Sequence, residues 1–327
     1  NYFRPYFYVK DKDLKKALKV DSFEYEKSDF KDFSGEKVVK VILDLPNDLT
    51  AVRNALAGEG ITTYEADVRF ARRFLIDHGI YSEMEINGDY DSEEGIDRIY
   101  REPELKGCDS KVKLDVMSID IETTADAEDL LCIGMQQGKW KKCLIKHSKK
   151  LKDCENFVNE EDLLERFFEV VKEQDPDVIV GWNFIDFDLK VIHRKCKEYG
   201  IRFNLGRDNS LSKTRFTDDF MLKSRVDASG RVILDGIDLL KDNFVKLSDY
   251  KLETAGQHFL GKGKKSELVD WENIAEHFEK DPKKMVEYNF MDVELVLNIL
   301  EKGKFLDLFV QRSKLTGMRL NEVGGSV

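Results

Sequence analysis

Between residues 113 and 304 the chain alternates apolar strands with amphipathic helices, and this alternation limits the fold to an α/β arrangement more sharply than any other feature. Leu114-Asp115-Val116-Met117-Ser118-Ile119-Asp120-Ile121-Glu122 predicts a strand, with Cys132-Ile133-Gly134-Met135 as its hairpin neighbour. Leu163, Leu164, Phe167, Phe168, Val170 and Val171 make one helical face, closed by Gln174-Asp175-Pro176. Val178-Ile179-Val180-Gly181-Trp182-Asn183 predicts a buried strand that passes into a helix from Phe187 to Tyr199, capped by Gly200. Pro282 opens a further long helix that runs to Leu300.

The first 112 residues predict a smaller α+β unit. An aromatic start, Tyr2-Phe3-Arg4-Pro5-Tyr6-Phe7-Tyr8-Val9, reads as a strand and is followed by a polar, acidic stretch. Lys37 to Leu45 is a second strand, Leu49 to Ala57 a helix ended by Gly58 and Gly60, and Ile61 to Val68 a third strand. Arg69 to His78 is a helix stopped by Gly79, and the acidic segment from Gly88 to Asp97 reads as a connection. The absence of an initiator Met and the Gly-rich close, Gly324-Gly325-Ser326-Val327, lead us to expect a piece of a longer protein.

No run of about 18 apolar residues suggests a membrane span. Five cysteines, Cys108, Cys132, Cys143, Cys154 and Cys196, fall at unrelated spacings without a C-x-x-C pair. They favour reduced thiols in the cytoplasm over a disulfide framework or a structural zinc site. The formal net charge is −11, which by itself disfavours a nucleic-acid partner. A site built of carboxylates can nevertheless hold metal ions that reverse the local sign.

Asp120 and Glu122 stand two apart on a strand and therefore share one face, while Ile119 and Ile121 point to the other. Two carboxylates so placed repel each other, and a divalent cation removes the difficulty. An isolated D-x-E is more simply a solvated acidic face. Asn183-Phe184-Ile185-Asp186-Phe187-Asp188 lies where a strand enters a helix, the usual place for functional groups in an α/β sheet. Helix capping explains at least one of its acids equally well. Tyr288 and Asp292, four apart on a predicted helix, share a face.

With these three patches in the order D-x-E, N-x-x-x-F-D and Y-x-x-x-D, the chain resembles the exonuclease region of family B DNA polymerases, among the DEDD-type 3′–5′ exonucleases. The tyrosine at 288 resembles the DEDDy subgroup, and the second motif selects Asp188 over Asp186. Asp175-Pro176-Asp177, Leu205-Gly206-Arg207-Asp208 and Leu252-Glu253-Thr254 add to the resemblance. It implies an amino-terminal domain at 1–112, a 3′–5′ exonuclease domain at 113–304 with an RNase H-like fold and mixed central sheet, and a segment at 305–327 leading toward a palm domain. That tail is expected to pack back on the amino-terminal domain. Palm motifs resembling S-L-Y-P-S and Y-x-D-T-D-S do not occur, so polymerisation is expected to reside in a missing part.

The resemblance further implies hydrolysis of DNA 3′ ends with two Mg²⁺ or Mn²⁺ ions, which suit hard oxygen ligands. Asp120 would bridge both ions, Glu122 and Asp292 would hold one, and Asp188 the other; Tyr288 would orient the attacking water. Asn183 and Phe187 would contact a single-stranded 3′ end frayed from a primer-template. Phosphate contacts are open to two lysine groups, one between Lys139 and Lys152 and one at Lys262, Lys264 and Lys265, though solvated loops account for both. The remainder of the polymerase chain, and through it a sliding clamp, would be the protein partners, in a cytoplasmic, nucleoid-associated setting. Archaeal relatives detect template uracil with positions resembling Pro5, Pro46, Leu49 and Phe70; Arg69 departs from their proline, which favours a structural role here. A non-catalytic DNA-binding module and an RNA-trimming exonuclease are the rival readings.

Overall fold

The computed structural model describes residues 2–93, 95–111, 113–217, 222–261 and 274–324, so that Lys262, Lys264 and Lys265 lie outside the described residues. The chain divides into two compact units, Asn1–Ile86 with Leu105–Asp109 and Asn87–Glu104 with Ser110–Val327.

In the first unit β1 (Tyr6–Lys10), α1 (Leu14–Val20), β2 (Glu24–Lys31), β3 (Lys37–Ile42), α2 (Asp48–Gly58), β4 (Thr63–Tyr64) and α3 (Phe70–Asp77) follow in order. The sheet runs β2-β3-β1-β4, and its neighbouring strands pair antiparallel. Alternation along β1 sorts its side chains: Phe7 and Val9 join Val41, Val52 and Leu56, whereas Tyr6 and Tyr8 join Val38 on the other face. The strand expected over 61–68 shrinks to two residues. Ile61 N–H closes α2 by donating to Leu56 O, and Glu65 turns the chain at a φ of 58°. Phe70 meets Phe3 with ring centroids 5.4 Å apart and the rings tilted by 48°, and Leu49 packs on the Phe7 cluster. A two-stranded pair, β5 (Glu83–Asn87) with a later β8 (Glu104–Cys108), completes this region.

Between them the acidic segment is a hairpin, β6 (Tyr90–Glu93) and β7 (Ile96–Tyr100), and not the plain connection expected. Gly95, at a φ of 79°, makes its turn, and Tyr90 and Tyr100 meet across the ladder with ring centroids 5.6 Å apart.

The second unit is built on β9 (Val116–Thr123), β10 (Leu130–Gln137), β11 (Trp140–Ile145), β12 (Cys154–Asn156), α4 (Glu160–Gln174), β13 (Val178–Gly181) and α5 (Asp188–Tyr199). After these come the small pair β14 (Lys213–Arg215) and β15 (Arg225–Asp227), then β16 (Val232–Asp235), α6 (Gly236–Asp242), α7 (Leu252–Leu260), α8 (Ile274–Lys280), α9 (Pro282–Gly303) and α10 (Phe305–Thr316). The six-stranded sheet has the order β12-β11-β10-β9-β13-β16 and is mixed: β9, β10 and β11 pair antiparallel, while β9, β13 and β16 pair parallel. Met117, Ile119 and Ile121 pack with Leu163, Phe167 and Ile192 of α4 and α5. On the opposite face Val178, Val180 and Leu234 meet Leu252, Val296 and Ile299 of α7 and α9. Phe305, Phe309 and Val323 of the tail are buried within this second cluster, whereas Leu308 and Leu315 are exposed. Among the described residues no helix is long and apolar enough to cross a membrane.

Candidate active site

The acids converge where the sheet splays. β13 pairs with β9 only from Val116 to Ser118, so the ladder on that side ends before the acids begin. Past that point Asp188 takes over a ladder contact: its Oδ1 accepts from Ile121 N–H at 3.0 Å. A crevice at the carboxyl ends of parallel strands is where α/β sheets place ligands. Asp120 and Glu122 face the α9 side of the sheet, and Asp292 of α9 reaches the same place. One carboxylate oxygen from each of the three lies within 4.8 Å of the others. Glu122 is 5% exposed and Asp292 3%, so two of these charges sit out of water.

Asp188, at the first position of α5, is 3% exposed, whereas Asp186 is exposed. Burial first, and the Asp120 carboxylate second, push the Asp188 carboxyl well above the usual range; the hydrogen bond from Ile121 N–H opposes them. Four carboxylates thus press together with little solvent. Their donor set is all oxygen, and their mutual repulsion is relieved by positive charge, so the residues fit a hard divalent cation.

Tyr288, one α-helical turn before Asp292, is 5% exposed and packs among Leu131, Ile145 and Val293. Asn183 stands in the left-handed region at a φ of 57°, a conformation asparagine tolerates better than most residues, and it turns the chain from β13 toward α5. With Asp120, Asp292, Trp182, Leu252 and Glu253 it lines a cleft of about 410 Å³ beside the acids. Trp182 is held there by its indole N–H, which donates to Tyr250 O at 2.8 Å. Phe187 is 39% exposed, an aromatic face presented to solvent just before α5.

Lysines between 139 and 152 are not equivalent. Lys142 pairs with Glu155, Lys146 with Asp129 and Glu160, and Lys141 lies over the Phe290 ring. Lys139, Lys149, Lys150 and Lys152 are exposed. Two of the accessory motifs are structural struts. Arg207 donates to Asp175 and Asp177, and Arg231, buried, donates to the carbonyls of Pro176 and Leu205 as well as to Asp175.

Sequence reasoning gave no role to Asn289 or Gly134. Asn289 is fully buried, and its Nδ2 donates to both Asp120 O at 3.1 Å and Asp120 Oδ2 at 2.8 Å. The signal available was a polar residue in the apolar stripe Met285, Asn289, Val293, Val296 of α9.

A family model described as DNA polymerase family B, exonuclease domain, matches residues 61–255, more than half of the chain. The match contains Asp120, Glu122, Asn183, Phe187 and Asp188, while Tyr288 and Asp292 fall beyond it. DNA polymerase II of Escherichia coli (strain K12) is 32% identical over 311 residues, which are 91% of this chain and 38% of that protein. A DNA polymerase of Thermococcus sp. (strain 9oN-7) is 28% identical over 350 residues, 99% of this chain and 40% of the relative. The chain therefore spans about two-fifths of the length of these relatives. The fold is similar to that of the family B DNA polymerase from Pyrobaculum calidifontis, with a TM-score of 0.74 at 23% identity over 99% of this chain and 44% of that one.

Proposed function

The chain belongs to DNA polymerase family B, and from that premise we propose that its second unit is a DEDDy-type, RNase H-like 3′–5′ exonuclease that removes nucleotides from DNA 3′ ends as a proofreading activity. The observation that carries the reading is the convergence of Asp120, Glu122 and Asp292 within 4.8 Å, with Asp188 buried beside Asp120. This grouping supports assigning Glu122 and Asp292 to one divalent ion, Asp188 to a second, and Asp120 to both. Mg²⁺ or Mn²⁺, when bound, would supply activation of water and charge stabilisation at the leaving 3′ oxygen.

The chain's own residues do the rest. Asn183, on the cleft, and Phe187, exposed just before α5, would hold the frayed single strand, the ring by stacking on a base or sugar. Tyr288 would orient the attacking water through its hydroxyl, since a phenol is too weak an acid to serve as base near neutral pH. Exposed Lys139, Lys149, Lys150 and Lys152 would meet phosphates. We read 1–112 as the amino-terminal domain, 113–304 as the exonuclease domain and 305–327 as the segment toward the palm. Nucleotide addition, and any sliding clamp, would belong to the part of the polymerase outside this chain, in a cytoplasmic, nucleoid-associated setting.

Asp120→Ala should abolish Mg²⁺-dependent shortening of a 5′-labelled single-stranded DNA from its 3′ end. Undiminished shortening by that variant overturns the assignment, and faster degradation of a matched RNA than of the DNA would favour an RNA-trimming enzyme instead.

A further inference from the structure

We propose that Asn289 is a positioning residue that sets Asp120 for metal binding, and that Gly134 is the hole in the sheet that lets it reach. The inference rests on the exonuclease reading of the same site. Gly134 on β10 pairs directly with Asp120 on β9, so a side chain at 134 would emerge beside the Asp120 side chain, on the α9 face. Glycine leaves that space empty, and Asn289 fills it from α9. A Cβ built at 134 would lie 1.7 Å from Asn289 Oδ1 and 2.7 Å from its Cγ, far inside contact distance. Both are buried at the heart of the helix–sheet interface, so neither side has room to yield.

Within this space the Asn289 amide spends its donor group on one residue. Its Nδ2 reaches the main-chain O and the Oδ2 of Asp120, tying side chain to backbone and holding the carboxylate in one orientation. Asn289 Oδ1 accepts no hydrogen bond, which is a cost when buried. A residue chosen only to fill space would be apolar here. The amide is neutral, so it favours the Asp120 carboxylate without placing a positive charge that competes with a cation. Outer-shell partners of metal ligands are worth about 10–100-fold in affinity or activity.

The test uses the 327-residue chain and Mn²⁺ alone, with free ion measured by electron paramagnetic resonance, alongside nuclease rates across a Mn²⁺ titration. Asn289→Leu, which keeps asparagine's branching and number of side-chain heavy atoms, should weaken Mn²⁺ binding about tenfold and shift the metal dependence more than the rate at saturating metal. Gly134→Ala should do the same by displacing the amide. In the double variant Gly134→Ala/Asn289→Ala the smaller residue at 289 vacates the space, so the effect should not exceed that of Asn289→Ala alone. Should Asn289→Leu fail to fold, Asn289→Ala and the double variant still carry the comparison. Unchanged Mn²⁺ binding in the Asn289 variants, or effects at 134 and 289 that multiply, overturns the inference and leaves the exonuclease reading standing. Failure of the unaltered chain to bind Mn²⁺, or equal binding by Asp120→Ala, overturns that reading and the inference with it.

Discussion

Asp188 and Asp235 occupy the same kind of place and, on the proposed function, have opposite uses. Each lies where a parallel strand gives way to a helix, and they are 3% and 8% exposed. Asp235 resolves its burial inside the fold. Its Oδ1 accepts from Ile237 N–H at 2.9 Å, capping α6, and its Oδ2 from Ile185 N–H at 3.1 Å, which ties down the loop before α5. Asp188 accepts from Ile121 N–H and then meets the negative charge of Asp120. Desolvation raises both carboxyls and backbone donors oppose it at both, while the largest charge repulsion at Asp188 comes from Asp120, the repulsion that a bound cation would relieve on the proposed function. On the proposed function, the pair separates a structural aspartate from a metal-binding one by what stands next to it.

The sharpest way to break this contrast is to neutralise each acid in turn. Asp188→Asn should reduce nuclease activity at least about 100-fold, the scale on which even outer-shell partners of a metal matter. In the presence of a chelator the same variant should melt higher than the unaltered chain, because a repulsive carboxylate has become an amide. Asp235→Asn should lower stability by about 1–3 kcal/mol, because an amide has one acceptor oxygen for two buried N–H groups. Its nuclease rate should fall less than about tenfold. Equal melting shifts of the same sign in both variants would abolish the distinction.

The difference between these two acids also marks what could be read from sequence. Asp120 with Glu122, and Tyr288 with Asp292, follow from periodicity within one strand and one helix. Choosing Asp188 over Asp186 required the family motif, because both suit a helix start. Asn289 and Gly134 were illegible for a different reason: their meeting depends on strand register and on where α9 crosses the sheet, neither of which is a local property. The same limit applied to the fold. The alternation of strands and helices between 113 and 304 predicted the α/β class, yet the polar 88–97 segment pairs as a hairpin through Tyr90 and Tyr100. The tail buries Phe305 and Phe309 in the second unit, a choice set by partners distant in sequence.

A second prediction comes from titration. Burial pushes the Asp235 carboxyl up to about 6 from its ordinary value of 3.8. A raised carboxyl binds its proton more tightly folded than unfolded, so its contribution to stability is greatest below the unfolded value. That contribution is lost as pH rises from about 4 to about 6 and stays flat above. Because Asp235→Asn cannot titrate, the advantage of the unaltered chain over the variant in urea denaturation should be larger at pH 5 than at pH 7.5. A constant difference would mean that the two backbone donors hold Asp235 ionised throughout, and the contrast with Asp188 would rest on charge repulsion alone.

The smallest effect concerns how the chain reaches the two acids. β16 passes straight into α6, with Asp235 itself at an extended φ of −112° as the cap. β13 instead enters α5 through a loop in which Asn183 is left-handed at a φ of 57°. That turn lets Asp188 come back to Ile121 on the neighbouring strand and not simply cap its own helix. Alanine disfavours this conformation by about 1 kcal/mol or more, whereas glycine adopts it freely. Asn183→Ala should therefore destabilise the chain by about 1 kcal/mol, and Asn183→Gly by less than about half of that, in denaturation without metal or DNA. If alanine and glycine behave alike, the left-handed turn is not what places asparagine there. The side chain on the cleft would then be the whole reason for it, and loss of DNA affinity in both variants would show it.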